Sequence, residues 1–147
     1  MAESGAEGAF QAATGDGPAR GGPAREAEVR AAFAGLIQIR RLTGAAPAPW
    51  ERGRMVWAVA LALEAAGVPA SAVDADGERT ETGYRVRASD RPGAVRVEWT
   101  GPPGEGARLS ADERLRECAR VLAEAGWEAL LYRGAGGRRL LEVEAGG

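Results

Sequence analysis

An α+β fold follows from the sequence: a two-layer sandwich in which about three helices cover a four-stranded, mostly antiparallel sheet, in the order α-α-β-β-α-β-β. Three observations predict it. Two alternating runs, Tyr84 to Ala88 and Val95 to Thr100, flank the turn Ser89-Asp-Arg-Pro-Gly93. A second pair, Trp127 to Arg133 and Arg139 to Glu144, turns through Gly134-Ala-Gly-Gly137. Stretches with apolar residues at helical spacing precede each pair.

The chain of 147 residues is long enough for one domain with its own core and short for two. Residues 1–24 are rich in glycine, alanine and proline and show no periodicity. So little apolar surface cannot offset the entropy of ordering, which predicts a disordered tail over 1–24 and a single domain over 25–147.

In Glu26 to Thr43, Val29, Ala32, Phe33, Leu36 and Ile37 recur at helical spacing, with Glu26 and Glu28 in the first turn, Arg40 and Arg41 in the last, and Gly44 beyond. These charges complement the helix dipole, and the glycine supplies a stop. Pro47 and Pro49 predict an extended link, followed by a second helix from about Glu51 to Ala66. That helix is apolar nearly all round between Met55 and Ala66, so it needs cover from the first helix or from a partner.

Val68 to Thr82 has little pattern beyond a turn at Asp76-Gly77. In the first hairpin, alternation puts Tyr84, Val86, Ala88, Val95, Val97 and Trp99 on one face and Arg85, Arg87, Arg96 and Glu98 on the other. A register pairing Val86 with Val97, and hence Arg85 with Glu98, keeps the faces consistent. Ser110 and Glu113 have capping-box spacing ahead of a third helix through Leu115, Cys118, Ala119, Val121 and Leu122, which ends at Gly126. In the second hairpin, Leu131, Leu141 and Val143 are expected to face the helices and Leu130, Tyr132 and Leu140 to face outward.

All nineteen cationic side chains are arginines, and the chain lacks histidine, lysine and asparagine. Lysine and asparagine have AT-rich codons, so this composition points to a bacterial genome of high GC content and makes the arginine count largely a genomic habit. Without histidine there is no imidazole ligand and no imidazole base for a serine or cysteine nucleophile. Without lysine there is no Schiff base and no phosphate-loop lysine. The net charge of −2 divides mildly: residues 18–54 carry seven arginines against three acids, and residues 55–147 twelve against fifteen.

Motif lookalikes fail at their specific positions. Gly101-Pro-Pro-Gly-Glu-Gly106 has the glycine spacing of a phosphate loop, but Ala107 and Arg108 stand where Lys and Ser/Thr belong. With Gly77 as the sixth residue of a calcium loop, Ala72 and Gly83 occupy the first and twelfth ligand positions. Cys118 lies at an apolar helix position, so packing explains it. No catalytic residue, metal ligand or cofactor is therefore expected. The start of the chain lacks the charged and apolar regions of a signal peptide, which predicts a cytoplasmic protein.

Function is then expected to reside in surfaces. Leu130, Tyr132 and Leu140 form a candidate contact surface for another protein or a second copy of the chain, as in an accessory or regulatory subunit. Nucleic acid is the alternative partner, with phosphates held by Arg40, Arg41, Arg52 and Arg54 near the junction of the first two helices or by Arg85, Arg87 and Arg96 on the sheet. A weaker alternative is a small-molecule pocket lined by Trp57, Tyr84, Trp99 and Trp127.

Overall fold

The computed structural model describes residues 10–146. Helix α1 (Pro23–Thr43) leads through the short α2 (Pro49–Arg52) into α3 (Met55–Ala65). Two short strands, β1 (Ala72–Val73) and β2 (Arg79–Glu81), form a ribbon ahead of the main hairpin, β3 (Gly83–Ala88) and β4 (Ala94–Thr100). Helix α4 (Ala107–Glu124) then leads to β5 (Trp127–Arg133) and β6 (Arg139–Ala145). The four long strands make one antiparallel sheet in the order β3-β4-β6-β5, an α+β fold as expected.

The first hairpin has the register read from its alternation: Val86 pairs with Val97 and Arg85 with Glu98. Tyr84, Val86, Val95, Val97 and Trp99 are buried on the helix side, where Leu141 and Val143 join them from β6. Helix α4 lays Leu115, Cys118 and Leu122 on this face. The continuous apolar run of α3 is buried from Ala58 to Leu63 because α1 covers one side, with Val29 and Leu36 buried, while β3 and α4 take the other. Its cover thus comes from within the chain.

Three boundaries differ from expectation. The helix expected over Glu51 to Ala66 is interrupted at Gly53 and Arg54, and its first turn starts at Pro49, where proline's fixed φ suits the first helical position. The backbone leaves the helical region at Arg54 (φ −139°, ψ 51°), and Glu51 caps the turn before it. Its buried carboxylate turns back to accept the Ala48 N–H (2.9 Å) and two bonds from Arg40 (2.7 Å each). Helix α4 begins three residues before the proposed cap, behind Gly106 in the left-handed region (φ 78°), and the Ser110 hydroxyl donates within the helix to Ala107 O.

The third difference concerns the expected tail. From Phe10 onward the chain is laid along the domain, while residues 1–9 lie outside the described residues. Thr14 O accepts the Val86 N–H (2.7 Å), Gly17 O accepts the Val73 N–H (2.9 Å), and Ala12 is buried. The Tyr84 hydroxyl donates to Ala13 O (2.8 Å) and lies 3.2 Å from Ala60 O. Burial, reinforced by the Glu64 charge, keeps that phenol protonated well above its usual range. Gly15 permits the close approach, since its φ is +98° and a Cβ there would stand 2.5 Å from Tyr84 O. Most of these contacts use backbone groups, so hydrophobic periodicity carries no trace of them.

Candidate interaction surface

The outward face of the sheet is organised by cross-strand rows. Arg87, Arg96, Glu142 and Leu130 form one row across β3, β4, β6 and β5. Glu142 anchors it, accepting from Arg96 Nε (2.7 Å) and from the Ser89 hydroxyl (2.8 Å) while itself buried. Arg85 and Arg87 both pair with Glu98, and Asp16 of the N-terminal segment reaches over β3 to Arg85 (3.0 Å) and Arg79 (2.5 Å).

Burial alone would raise the Glu142 and Asp16 carboxyls; hydrogen bonds from Arg96 and Ser89 to the first, and from Arg79 and Arg85 to the second, outweigh it and hold both below their ordinary values. A carboxyl depressed by folding contributes stability that is complete above its unfolded pKa and is lost as the pH falls through its folded one. The urea midpoint should therefore decline as the pH drops below about 4. Glu142→Gln should show a smaller decline than the wild type, whereas equal declines would remove Glu142 from the account.

The arginines named from the sequence do not form one patch. Arg85, Arg87 and Arg96 are held in these ion pairs, and Arg40 is bound to Glu51. Arg54 lies over the Trp50 and Trp57 rings (5.7 and 5.3 Å). Arg41 and Arg52 are exposed, with no ion pair among the described residues. The four aromatic residues proposed to line a pocket do not meet in one either. Tyr84 and Trp127 are core residues, and Trp57 packs edge-on against Trp50 and Phe10. A cavity of about 780 Å³ between the N-terminal segment, α1 and the Gly67–Ala72 link has none of the four in its wall; a second, of about 390 Å³ beside the Gly101–Gly106 loop, takes only Trp99.

Cys118 is buried beneath α4, and burial, with a smaller contribution from Glu117, pushes its thiol up to about 12. It stays protonated and unreactive at neutral pH.

The apolar cluster is brought together. Tyr132 pairs with Leu140 across β5 and β6, and Leu130 lies one outward position along β5. Leu130 and Tyr132 are 50 % and 46 % exposed, and Leu140 is half-buried. Sequence reasoning missed the strand edge beside this cluster. The bond from Gly134 N–H to Arg138 O sets the phase of the β5–β6 ladder, so the backbone groups of Glu128, Leu130 and Tyr132 face β6 and those of Trp127, Ala129, Leu131 and Arg133 face away. No hydrogen bond reaches these outward groups among the described residues.

The opposite edge is treated differently. On β3, Tyr84 N–H donates to Pro69 O (3.0 Å), Tyr84 O accepts from Ser71 N–H (2.9 Å), and Val86 N–H is taken by Thr14 O. The chain thus covers one edge of its sheet with its own backbone, while on the other the outward groups of Ala129, Leu131 and Arg133 have no hydrogen bond among the described residues and Trp127 is buried. No family model, no curated protein and no solved structure matches the chain.

Proposed function

We propose that this chain acts through protein–protein contact, as an accessory or regulatory subunit without catalysis of its own, and that β5 is the contact strand. The observation that carries the reading is the contrast between the two sheet edges. Bare strand edges are templates for pairing, and proteins ordinarily blunt them with proline, lysine, a bulge or a covering segment. Strand β5 holds no proline and no bulge: it pairs with β6 in unbroken register and places Leu130 and Tyr132 in solvent, between exposed Glu128 and Arg133. Strand addition there would satisfy the outward backbone groups of Ala129, Leu131 and Arg133 while covering the apolar pair. The nucleic-acid alternative draws less support, because Arg40, Arg85, Arg87 and Arg96 are committed to carboxylates. A cytoplasmic setting belongs to the same proposal and fits the single buried thiol.

The test is a photo-reactive amino acid in place of Tyr132, with the same substitution at exposed Arg87 as control, irradiated in the native cells. Position 132 should give a discrete protein adduct and position 87 should not. Absence of any adduct at 132 would remove the proposal.

A further inference from the structure

Which partner β5 takes can be argued from the strand itself. Resting on the protein-contact reading above, we infer that the occupant of the bare edge is β5 of a second copy, paired antiparallel about a twofold axis through Leu130, so that two four-stranded sheets become one of eight.

The register follows from geometry. Residues directly opposite in an antiparallel pair share a face, so the axis between two identical strands must pass through a residue position. Trp127 at the start of β5 is buried, and among such axes the one at Leu130 pairs the five residues from Glu128 to Tyr132; moving it to Ala129 sets the partner copy's Leu131 against buried Trp127, and moving it to Leu131 places Glu128 opposite Gly134, beyond the strand. It also sets outward-directed backbone against outward-directed backbone, Ala129 of each copy meeting Leu131 of the other. These become the hydrogen-bonded pairs, and the two Leu130 residues form a non-hydrogen-bonded pair, the closer type for side chains.

The side chains are complementary in this register. On the outward face the two Leu130 side chains cover each other, and Glu128 stands opposite Tyr132. Neither the Glu128 carboxylate nor the Tyr132 hydroxyl has a hydrogen bond or ion pair among the described residues, and across the axis the phenol O–H can donate to the carboxylate. Toward the helices, half-exposed Ala129 and Leu131 face each other. No like charges are opposed. Strand identity thus supplies donor for acceptor and apolar for apolar without a foreign sequence.

Cysteine crosslinking reads this register directly. Non-hydrogen-bonded pairs have Cα atoms about 4.5 Å apart, within the disulfide range of roughly 4.4–6.8 Å, and native Cys118 is buried and does not compete. Leu130→Cys in the full chain should give a disulfide-linked dimer as the major species on mild oxidation. Glu128→Cys alone should not, whereas a mixture of Glu128→Cys and Tyr132→Cys chains should link to each other. Light scattering should find the wild type at dimer mass across the micromolar range and Leu130→Arg at monomer mass. A wild-type monomer throughout that range, or Leu130→Cys linking no better than Glu128→Cys, would overturn the self-pairing. The adduct at position 132 separates the two readings: a second copy supports both, another protein retains contact and removes self-pairing, and no adduct removes contact itself.

Discussion

Arg40→Ala is expected to destabilise the fold by about 3–5 kcal/mol, because it removes one partner of a buried ion pair and leaves the other uncompensated. Glu51 is fully buried, and two of the bonds its carboxylate accepts come from the Arg40 guanidinium at 2.7 Å each. Without them the buried charge would keep only the Ala48 N–H in compensation. The pair also ties the last turn of α1 to the start of α2 and so sets how α1 crosses onto α3. A double replacement, Arg40→Met with Glu51→Met, should be much milder than either single change, since both charges leave together; the residual cost comes from the Ala48 N–H, roughly 1–3 kcal/mol for a buried donor left unsatisfied. Urea unfolding of the three variants checks this. A single-variant loss under about 1 kcal/mol, the scale of an exposed pair, would show that water reaches Glu51.

Tyr84→Ala should cost about 3–5 kcal/mol, the range for deleting a buried aromatic side chain. Its ring is fully buried between the sheet and α3, and its hydroxyl joins Ala13 of the N-terminal segment to Ala60 of α3. Tyr84→Phe separates these contributions. The ring stays, only the hydroxyl is lost, and the expected cost falls to about 1 kcal/mol. That smaller loss should be local. The Val86 amide, whose acceptor is Thr14 O, should exchange with solvent faster in Tyr84→Phe, while core amides of β4 keep their protection in proportion to global stability. Unchanged exchange at Val86 would show that the segment from Phe10 onward is held without Tyr84.

Parts of the fold dominated by local chemistry were legible in the chain. Alternation in Tyr84–Ala88 and Val95–Thr100, bounded by a proline–glycine turn, determined the hairpin and its register, because a slip of one residue would move every valine to solvent. Helices α1 and α4 were visible in their periodicity. The start of α4 differs: Ser110 and Glu113 have capping-box spacing, but Gly106, four residues before Ser110, takes the left-handed conformation and the helix begins behind it. Glu51 reads as the start of one long helix and is instead the capping acceptor of a single turn that ends before Arg54.

The candidate surface was half legible. Outward placement of Leu130, Tyr132 and Leu140 follows from period-two alternation, a local property. Which strand lies at the edge, and which edge is covered, depends on strand order, and no local pattern encodes that. The same non-local pairing commits Arg85, Arg87 and Arg96 to Asp16, Glu98 and Glu142, so a count of arginines overstates the positive field of the sheet.

By itself, the sequence determined the class of fold, the hairpin register, the buried faces and the absence of histidine and lysine chemistry, since each is a matter of composition or of spacing along a few consecutive residues. Tertiary structure alone decided that residues from Phe10 onward form part of the domain, that α3 is covered from within, and that β5 is left bare. These depend on hydrogen bonds and ion pairs between segments far apart in the chain, as between Ala13 and Tyr84, 71 residues apart, where the chain's closure rather than its local pattern chooses the partners.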